Sequence, residues 1–154
     1  TQHPPEDTIV SSDVFDQEMM TLARKEIGKS PDWWRQVGAI IVKEKQAVLH
    51  AFNNAVPYDQ MQYINGDPRD VIQSGTLTDL YYTLHAEQAV ITSAAKQGIS
   101  LKGSSIYTTA FPCAVCAKLI AYAGIKKCFF GAGTASLDGD KVLKANGVDL
   151  IFVQ

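Results

Sequence analysis

Two short motifs constrain the fold of this chain more than any other feature of its sequence: a His-Ala-Glu motif at positions 85–87 and a Pro-Cys-x-x-Cys motif at positions 112–116. They contain the imidazole of His85 and the thiols of Cys113 and Cys116, which are typical zinc ligands. Three protein ligands leave the fourth tetrahedral position open to water, whereas four would make a closed structural site. The fold must therefore bring together two segments that are distant in the sequence.

Both motifs lie where helices are predicted to begin. The apolar spacing after the first motif predicts a helix that has His85 in its first turn and ends at Gly98. Pro112 is typical of a helix start, and the spacing of Cys113 and Cys116 places both sulfurs on one face of the helix that follows. The positive ends of two helix dipoles favour thiolates, and a mixed imidazole and thiolate set favours zinc over magnesium or calcium.

Glu87 lies two residues after His85, too close along the chain for both side chains to bind one metal comfortably beside two cysteines. We therefore predict that Glu87 transfers protons between metal-activated water and a substrate. Alone, a Cys-x-x-Cys pair is also typical of redox pairs and structural zinc sites, and a His-x-Glu pattern is common by chance. Together, in this order, the motifs form the signature of zinc-dependent nucleobase deaminases.

Beyond these motifs, the chain resembles the cytidine and deoxycytidylate deaminase superfamily, most closely its deoxycytidylate branch. The resemblance extends over residues 13–154, and the matching segments are Val37–Val42, Phe52–Asn54, Leu84–Glu87, Ile106–Thr109, Phe111–Lys118 and Ala123–Lys127. It implies that His85, Cys113 and Cys116 bind Zn²⁺ and that Glu87 is the catalytic acid and base. The implied reaction is hydrolysis of a cytosine nucleotide, most closely dCMP to dUMP, with release of ammonia.

The resemblance also implies how the substrate is held and attacked. Asn53 matches the family asparagine that reaches the sugar and orients the base, and backbone N–H groups near Ala86 face the pyrimidine carbonyl. Water at the open metal position adds to C4 of the ring, while Glu87 takes its proton, protonates N3 and then protonates the leaving amine. The next residue, Asn54, stands where the family usually has glycine, so the following loop departs from the family pattern.

The segment 54–82 is long for a connection and lies between Asn53 and the first motif, so we expect it near the substrate pocket. Arg69 and Arg35 are candidates for binding the 5′-phosphate, with a solvated surface charge as the alternative for each. Tyr82 is a candidate for stacking on the base, with a packing role as the alternative. Some relatives hold a second, structural zinc here, and because the segment contains no cysteine or histidine, we expect none in this chain.

Composition favours a compact enzyme that acts on a small nucleotide. The chain has 154 residues, of which 46% are apolar, and a net charge of −2. This predicts one domain, residues 13–154, after a flexible, polar and proline-rich N-terminal arm, residues 1–12. The basic residues are scattered, whereas polynucleotide binding usually requires a basic stripe. The predicted partner is therefore a free nucleotide, with nucleic acid disfavoured.

Other features bear on the compartment and on the remaining candidate ligands. No apolar run approaches the roughly 18 residues that span a membrane, and no signal peptide is recognisable. Two of the three cysteines are assigned to metal, so no disulfide framework remains, which is typical of the cytoplasm. Cys128 is predicted to be a buried, inert thiol. His50 is predicted to be a strand residue that faces solvent or has a partner, and not a ligand.

The chain is predicted to adopt an α/β, three-layer α-β-α fold of the cytidine-deaminase type, with a mixed five-stranded sheet whose last strands run parallel. The predicted elements are a helix capped by Asp13 and ended by Gly28, a hairpin of Val37–Val42 and Ala47–Phe52, strands Ser105–Thr109 and Lys127–Gly131, helix Leu137–Ala145 and strand Val148–Val153. A helix between the last two strands allows them to be parallel, as in the deoxycytidylate and tRNA-adenosine branches.

Two alternatives remain open. A deaminase of another base, such as tRNA adenosine, guanine or a related heterocycle, shares the same zinc ligands, because pocket shape selects the substrate. The second alternative is a non-catalytic zinc module used for binding. Such a module has no use for an unligated carboxylate like Glu87. By resemblance, we also expect a homo-oligomer.

Overall fold

A computed structural model describes residues 8–73, 76–77, 81–133 and 138–154. Its strands and helices, in chain order, are β1 (Ile9–Ser11), α1 (Val14–Ile27), β2 (Gly38–Lys43), β3 (Gln46–Phe52), β4 (Asn54–Ala55), α2 (Met61–Asn65), β5 (Thr83–Leu84), α3 (Ala86–Gln97), β6 (Ser105–Thr108), α4 (Ala114–Tyr122), β7 (Lys127–Phe130), α5 (Gly139–Ala145) and β8 (Asp149–Val153). A single 3₁₀ turn, Pro68–Asp70, follows α2. None of these helices has both the length and the apolar content needed to cross a bilayer.

The main sheet is mixed and has the strand order β1-β8-β7-β6-β2-β3. Strand β2 is antiparallel to both β3 and β6, whereas β6, β7, β8 and β1 are parallel to one another. The predicted α/β class, the β2–β3 hairpin and the parallel pairing of the last two strands are confirmed. A separate two-stranded ladder, β4 with β5, joins the beginning and end of the 54–82 segment.

The sheet has six strands and not the predicted five, because Ile9–Ser11 adds to its edge beside Ile151–Val153. The expectation of a flexible arm over residues 1–12 is therefore wrong for these three residues, and residues 1–7 lie outside the described part of the chain. The side chains of Ile9 and Val10 are 58% and 48% exposed. Backbone pairing and not side-chain burial holds this strand, and three residues are too few to show the alternation that predicts a strand.

Helix α1 covers one face of the sheet. The Asp13 carboxylate accepts hydrogen bonds from the backbone N–H groups of Phe15 (2.8 Å) and Asp16 (3.4 Å), and Gly28 caps the other end, so both predicted boundaries are confirmed. The helix buries an apolar stripe against β2, β6, β7 and β8. The buried residues of this layer are Met19, Met20, Ala23, Ile40, Val42, Tyr107, Phe129, Ile151 and Val153.

Helices α3, α4 and α5 cover the opposite face, which makes the three-layer architecture. In α3, Ala86, Val90 and Ala94 are buried at helical spacing, and Gly98 ends the helix in the left-handed conformation with φ of 69°. Cys128 is fully buried beneath this layer, and burial raises the pKa of its thiol, as expected for an inert cysteine. Helix α5 begins at Gly139, and part of its predicted first turn lies outside the described residues.

The contact between α1 and β2 gives a test of this packing. A Cβ atom at Gly38 would lie 2.0 Å from the Ala23 carbonyl oxygen, so Gly38→Ala must push α1 off the sheet. We expect a loss of about 1–3 kcal/mol or more in the free energy of unfolding, measured by urea denaturation. Gly28→Ala is the control, because the nearest atom to its Cβ is 3.9 Å away. Equal stability of the two variants would contradict this packing.

Candidate zinc centre

The two sequence motifs meet where α3 and α4 begin. His85 and Cys113 are the residues that immediately precede these helices, with extended backbones (ψ of 153° and 168°), and Cys116 lies one turn into α4. The prediction that helices begin at both motifs is confirmed. His85 was expected inside the first turn and Pro112 at a helix start, whereas the helices begin at Ala86 and Ala114. Gln88 fixes the first of these starts, because its side-chain oxygen accepts a hydrogen bond from the backbone N–H of His85 at 2.8 Å.

The three ligand atoms are arranged as one metal ion requires. The Nδ1 atom of His85 lies 3.5 Å from Sγ of Cys113 and 3.4 Å from Sγ of Cys116. All three ligand atoms lie within 4.8 Å of one another. Tetrahedral Zn–N and Zn–S bonds would place such atoms roughly 3.6–3.8 Å apart, so the residues fit zinc without rearrangement. Among the described residues, this is the one such group of three.

The electrostatics of the centre suit a cation. A hydrogen bond from Cys116, together with the nearby His85 ring, lowers the pKa of Cys113 to about 3. The hydrogen bond with Cys113, burial and the nearby Glu87 carboxyl raise the pKa of Cys116. The hydrogen bond to Cys113 also raises the pKa of His85. A divalent cation bound to the two sulfurs and the imidazole would displace the protons of these groups.

Glu87 lies inside this centre and is not a fourth ligand of the group. Its side chain is buried, with the residue only 4% exposed, and burial raises the pKa of its carboxyl above the ordinary range. The carboxyl hydrogen-bonds with Cys116, which places it beside the metal ligands. A buried carboxyl with a raised pKa is suited to taking up and releasing a proton, as general acid–base catalysis requires.

Asn53, predicted to reach the substrate sugar, is a buried residue that organises the loop between α1 and β2. Its Oδ1 atom accepts hydrogen bonds from the backbone N–H of Val37 (2.7 Å) and the hydroxyl of Ser30 (2.9 Å). Its Nδ2 atom donates to the carbonyl of Arg35 at 2.7 Å. One amide hydrogen of Asn53 remains for another acceptor.

The two arginines predicted as phosphate ligands differ in their surroundings. The Arg69 side chain is only 11% exposed and pairs with the carboxylates of Asp32 and Asp67, so it is not the solvated surface charge considered as its alternative. The hydrogen bond to Cys113 raises the pKa of His85, and the positive charge of Arg69 partly opposes this rise. Arg35 is exposed. Ala86, another predicted contact, is fully buried in the first turn of α3. Tyr82, the last of them, is half-buried and lies just before β5.

Several residues of this region were not identified from the sequence. Asp32 is the most important of them, since its carboxylate accepts hydrogen bonds from the loop after α1, from Arg69 and from Gln62 and Thr83. The Ser-Pro-Asp sequence at positions 30–32 is typical of a turn, and this was the signal available for it. Nothing in the sequence spacing identifies the partners of Asp32 across the 54–82 segment.

The fold and this centre define an α/β protein of the cytidine-deaminase type with an open His/Cys/Cys zinc site. The model of the "cytidine and deoxycytidylate deaminase zinc-binding region" matches residues 13–132. The chain belongs to this family.

Relatives and solved structures agree with this assignment. The chain is 34% identical over 117 residues to the deoxycytidylate deaminase of Homo sapiens, a match that covers 72% of this chain and 61% of that protein. The chain therefore spans about three fifths of the length of this relative. It is 28% identical to the dCMP deaminase of cyanophage S-TIM5 in its apo form, with a TM-score of 0.70 over 94% of this chain and 100% of the other. The same phage protein in complex with dCMP and dUMP also matches, at 26% identity and a TM-score of 0.70, over 94% of this chain and 99% of the other.

Replacing one ligand tests the centre. We expect Cys113→Ala to lose nearly all of its zinc, from about one ion per chain, and to unfold at a lower temperature, because ligation contributes to folding. Zinc content by elemental analysis and the melting temperature are the measurements. Cys128→Ala is the matched control, since it removes a buried thiol outside the centre and should keep its zinc. A full complement of zinc in Cys113→Ala would contradict this assignment.

Proposed function

We propose that this protein is a zinc-dependent hydrolytic deaminase of a cytosine nucleotide, converting dCMP to dUMP with release of ammonia. One observation carries the proposal: a buried carboxyl, Glu87, lies beside three metal ligands that leave a fourth position for water. Membership in the deaminase family and similarity to a phage enzyme solved with dCMP and dUMP support this substrate class. We assign this activity to residues 13–154 as one domain.

The residues divide the chemistry among them. His85, Cys113 and Cys116 would hold zinc, which lowers the pKa of a water molecule in the open position and makes it nucleophilic at neutral pH. Glu87 would take one proton from the attacking water as the water oxygen adds to C4 of the cytosine ring. The same carboxyl gives that proton to N3. A further proton, again passed through Glu87 from the new hydroxyl group, goes to the amine, which leaves as ammonia while C4 becomes a carbonyl.

The surroundings of the centre support roles in substrate binding. The free amide hydrogen of Asn53 is assigned to the sugar, the backbone N–H groups at the start of α3, near Ala86, to the pyrimidine carbonyl, and the ring of Tyr82 to the base. Arg35, whose guanidinium is exposed, is assigned to the 5′-phosphate. Arg69 is a weaker candidate for direct phosphate binding, because two carboxylates already neutralise it.

We also propose that the protein is a cytoplasmic homo-oligomer. Large exposed aromatic side chains support the oligomer: Tyr122 on α4 is 96% exposed and Trp34 is 56% exposed. All three cysteines are free thiols in the structure, which is compatible with a reducing compartment.

Glu87→Gln tests the proton transfer. The amide has nearly the shape of the carboxyl but cannot carry the proton, so zinc content should stay at about one ion per chain while kcat falls roughly 10²–10⁴-fold. Ammonia release and elemental analysis are measured on the same sample. Glu18→Gln, on the exposed side of α1, is the matched control and should retain full activity. Substantial activity in Glu87→Gln would remove this residue from its proposed role.

Ammonia release from a panel of substrates tests the specificity. We expect turnover of dCMP in preference to dCTP, cytidine, guanine and a tRNA anticodon stem. Arg35→Ala should raise the KM for dCMP roughly tenfold or more, because a charge-assisted contact to phosphate is lost. Preference for guanine or for the tRNA stem would assign the protein to another deaminase activity. No ammonia from any substrate, with zinc bound, would indicate a non-catalytic zinc module.

A further inference from the structure

A buried carboxylate, Asp32, joins two parts of the chain that flank the zinc centre. The residue is 2% exposed and lies in the loop between α1 and β2. Its Oδ1 atom accepts hydrogen bonds from the backbone N–H groups of Trp34 (2.8 Å) and Arg35 (3.0 Å), which fixes the turn of the loop. Its Oδ2 atom accepts a hydrogen bond from Nη2 of Arg69 at 2.9 Å.

The same oxygen of Asp32 also contacts residues that lead to the metal. It accepts hydrogen bonds from the Thr83 hydroxyl at 3.1 Å and from Nε2 of Gln62 at 3.3 Å. Thr83 belongs to β5, two residues before the zinc ligand His85. Asp32 therefore links the loop after α1, the helix α2 and the strand that enters the centre.

Two of the three guanidinium nitrogens of Arg69 donate hydrogen bonds within this cluster. Its Nε atom donates to both carboxylate oxygens of Asp67, at 2.9 and 3.0 Å, and its Nη2 atom is shared between Asp67 and Asp32. Although burial alone raises the pKa of Asp32 and of Asp67, the hydrogen bonds from Arg69 and from the backbone outweigh this and lower both. Two carboxylates and one guanidinium leave the cluster with a net charge of −1 at neutral pH, which does not attract a phosphate.

The loop that Asp32 fixes carries the exposed arginine. The backbone of Arg35 is held at both ends, since its N–H donates to Asp32 at 3.0 Å and its carbonyl accepts from Asn53 at 2.7 Å. Ser30, at the start of the same loop, donates its hydroxyl to Asn53 at 2.9 Å. The guanidinium of Arg35 thus extends from a backbone with little freedom to move.

We propose that Asp32, Arg69 and Asp67 form an ion-pair latch. This latch positions Arg35 and Asn53 for the phosphate and sugar of the substrate. Arg69 acts as a positioning residue and not as a phosphate ligand. This inference rests on the proposed function for its kinetic consequences, but the latch itself can be tested without activity. A loop that is ordered in advance loses less conformational freedom when the substrate binds, and binding is tighter by that amount.

Fluorescence tests whether the latch holds the loop. Both tryptophans of the chain, Trp33 and Trp34, directly follow Asp32, and the ring of Trp33 packs edge-on against Tyr63 of α2 at 4.8 Å. Tryptophan fluorescence, excited selectively over that of the tyrosines, therefore reports on this loop alone. We expect Asp32→Asn and Arg69→Met to increase quenching by acrylamide roughly twofold, while Lys96→Ala, an exposed control at the end of α3, leaves it unchanged. Unchanged quenching in both latch variants would overturn the latch, whether or not the protein deaminates dCMP.

Kinetics then separates positioning from direct contact. If the latch positions Arg35, Asp32→Asn and Arg69→Met should each raise the KM for dCMP roughly tenfold with kcat within about threefold, and the double variant should be no worse than either single one. Arg69→Lys, which keeps the charge, should restore part of the affinity. Zinc content and melting temperature are measured on every variant, and the kinetics use those that remain folded.

A direct contact between Arg69 and the phosphate would give a different pattern of KM values. If Arg69 bound the phosphate directly, Arg69→Met would raise KM, while Asp32→Asn would leave it unchanged or lower it by freeing the guanidinium. That pattern would overturn the positioning role. Absence of deamination in the wild-type protein, combined with increased quenching in the latch variants, would refute the proposed function and leave the latch as a purely structural device.

Discussion

The metal centre depends on two helices that begin at the same point. His85 and Cys113 each immediately precede a helix with an extended backbone, so their side chains turn back toward the first turn, where Cys116 completes the set. Helix N-termini are electropositive, which favours thiolates before any cation is bound. The parallel pairing of β6 with β7 brings α4 across the face of the sheet to this point. The remainder of the site is built outward from this junction.

Around the junction, the fold uses two kinds of support. On the core side, apolar residues of α3 and α4, such as Val90 and Ile120, are fully buried and fix the helix axes. In the loop after α1, the polypeptide is irregular, and buried polar groups hold it instead: the carboxamide of Asn53 and the carboxylate of Asp32. Buried ion pairs contribute little net stability, but they specify one geometry, because leaving either partner alone is strongly unfavourable.

Helix boundaries and metal ligands could be predicted because they follow from local rules. Asp13, Gly28 and Gly98 cap helices through contacts within a few residues. The Cys-x-x-Cys spacing likewise determines that both sulfurs lie on one face of a helix. The strand Ile9–Ser11 was missed because its pairing is made by backbone atoms. The pairing of Arg69 with Asp32 was not predicted for a different reason: no periodic pattern relates the two residues, and a paired arginine looks the same in sequence as a free one.

The close approach of α1 to β2 determines where the connecting loop tolerates substitutions. Gly38 admits the carbonyl of Ala23 where any side chain would collide, so both ends of the connecting loop are anchored in well-packed structure. Within those anchors, Trp33, Trp34 and Arg35 are exposed. Substitutions at these three positions can therefore change what the loop contacts while the core and the metal ligands stay untouched.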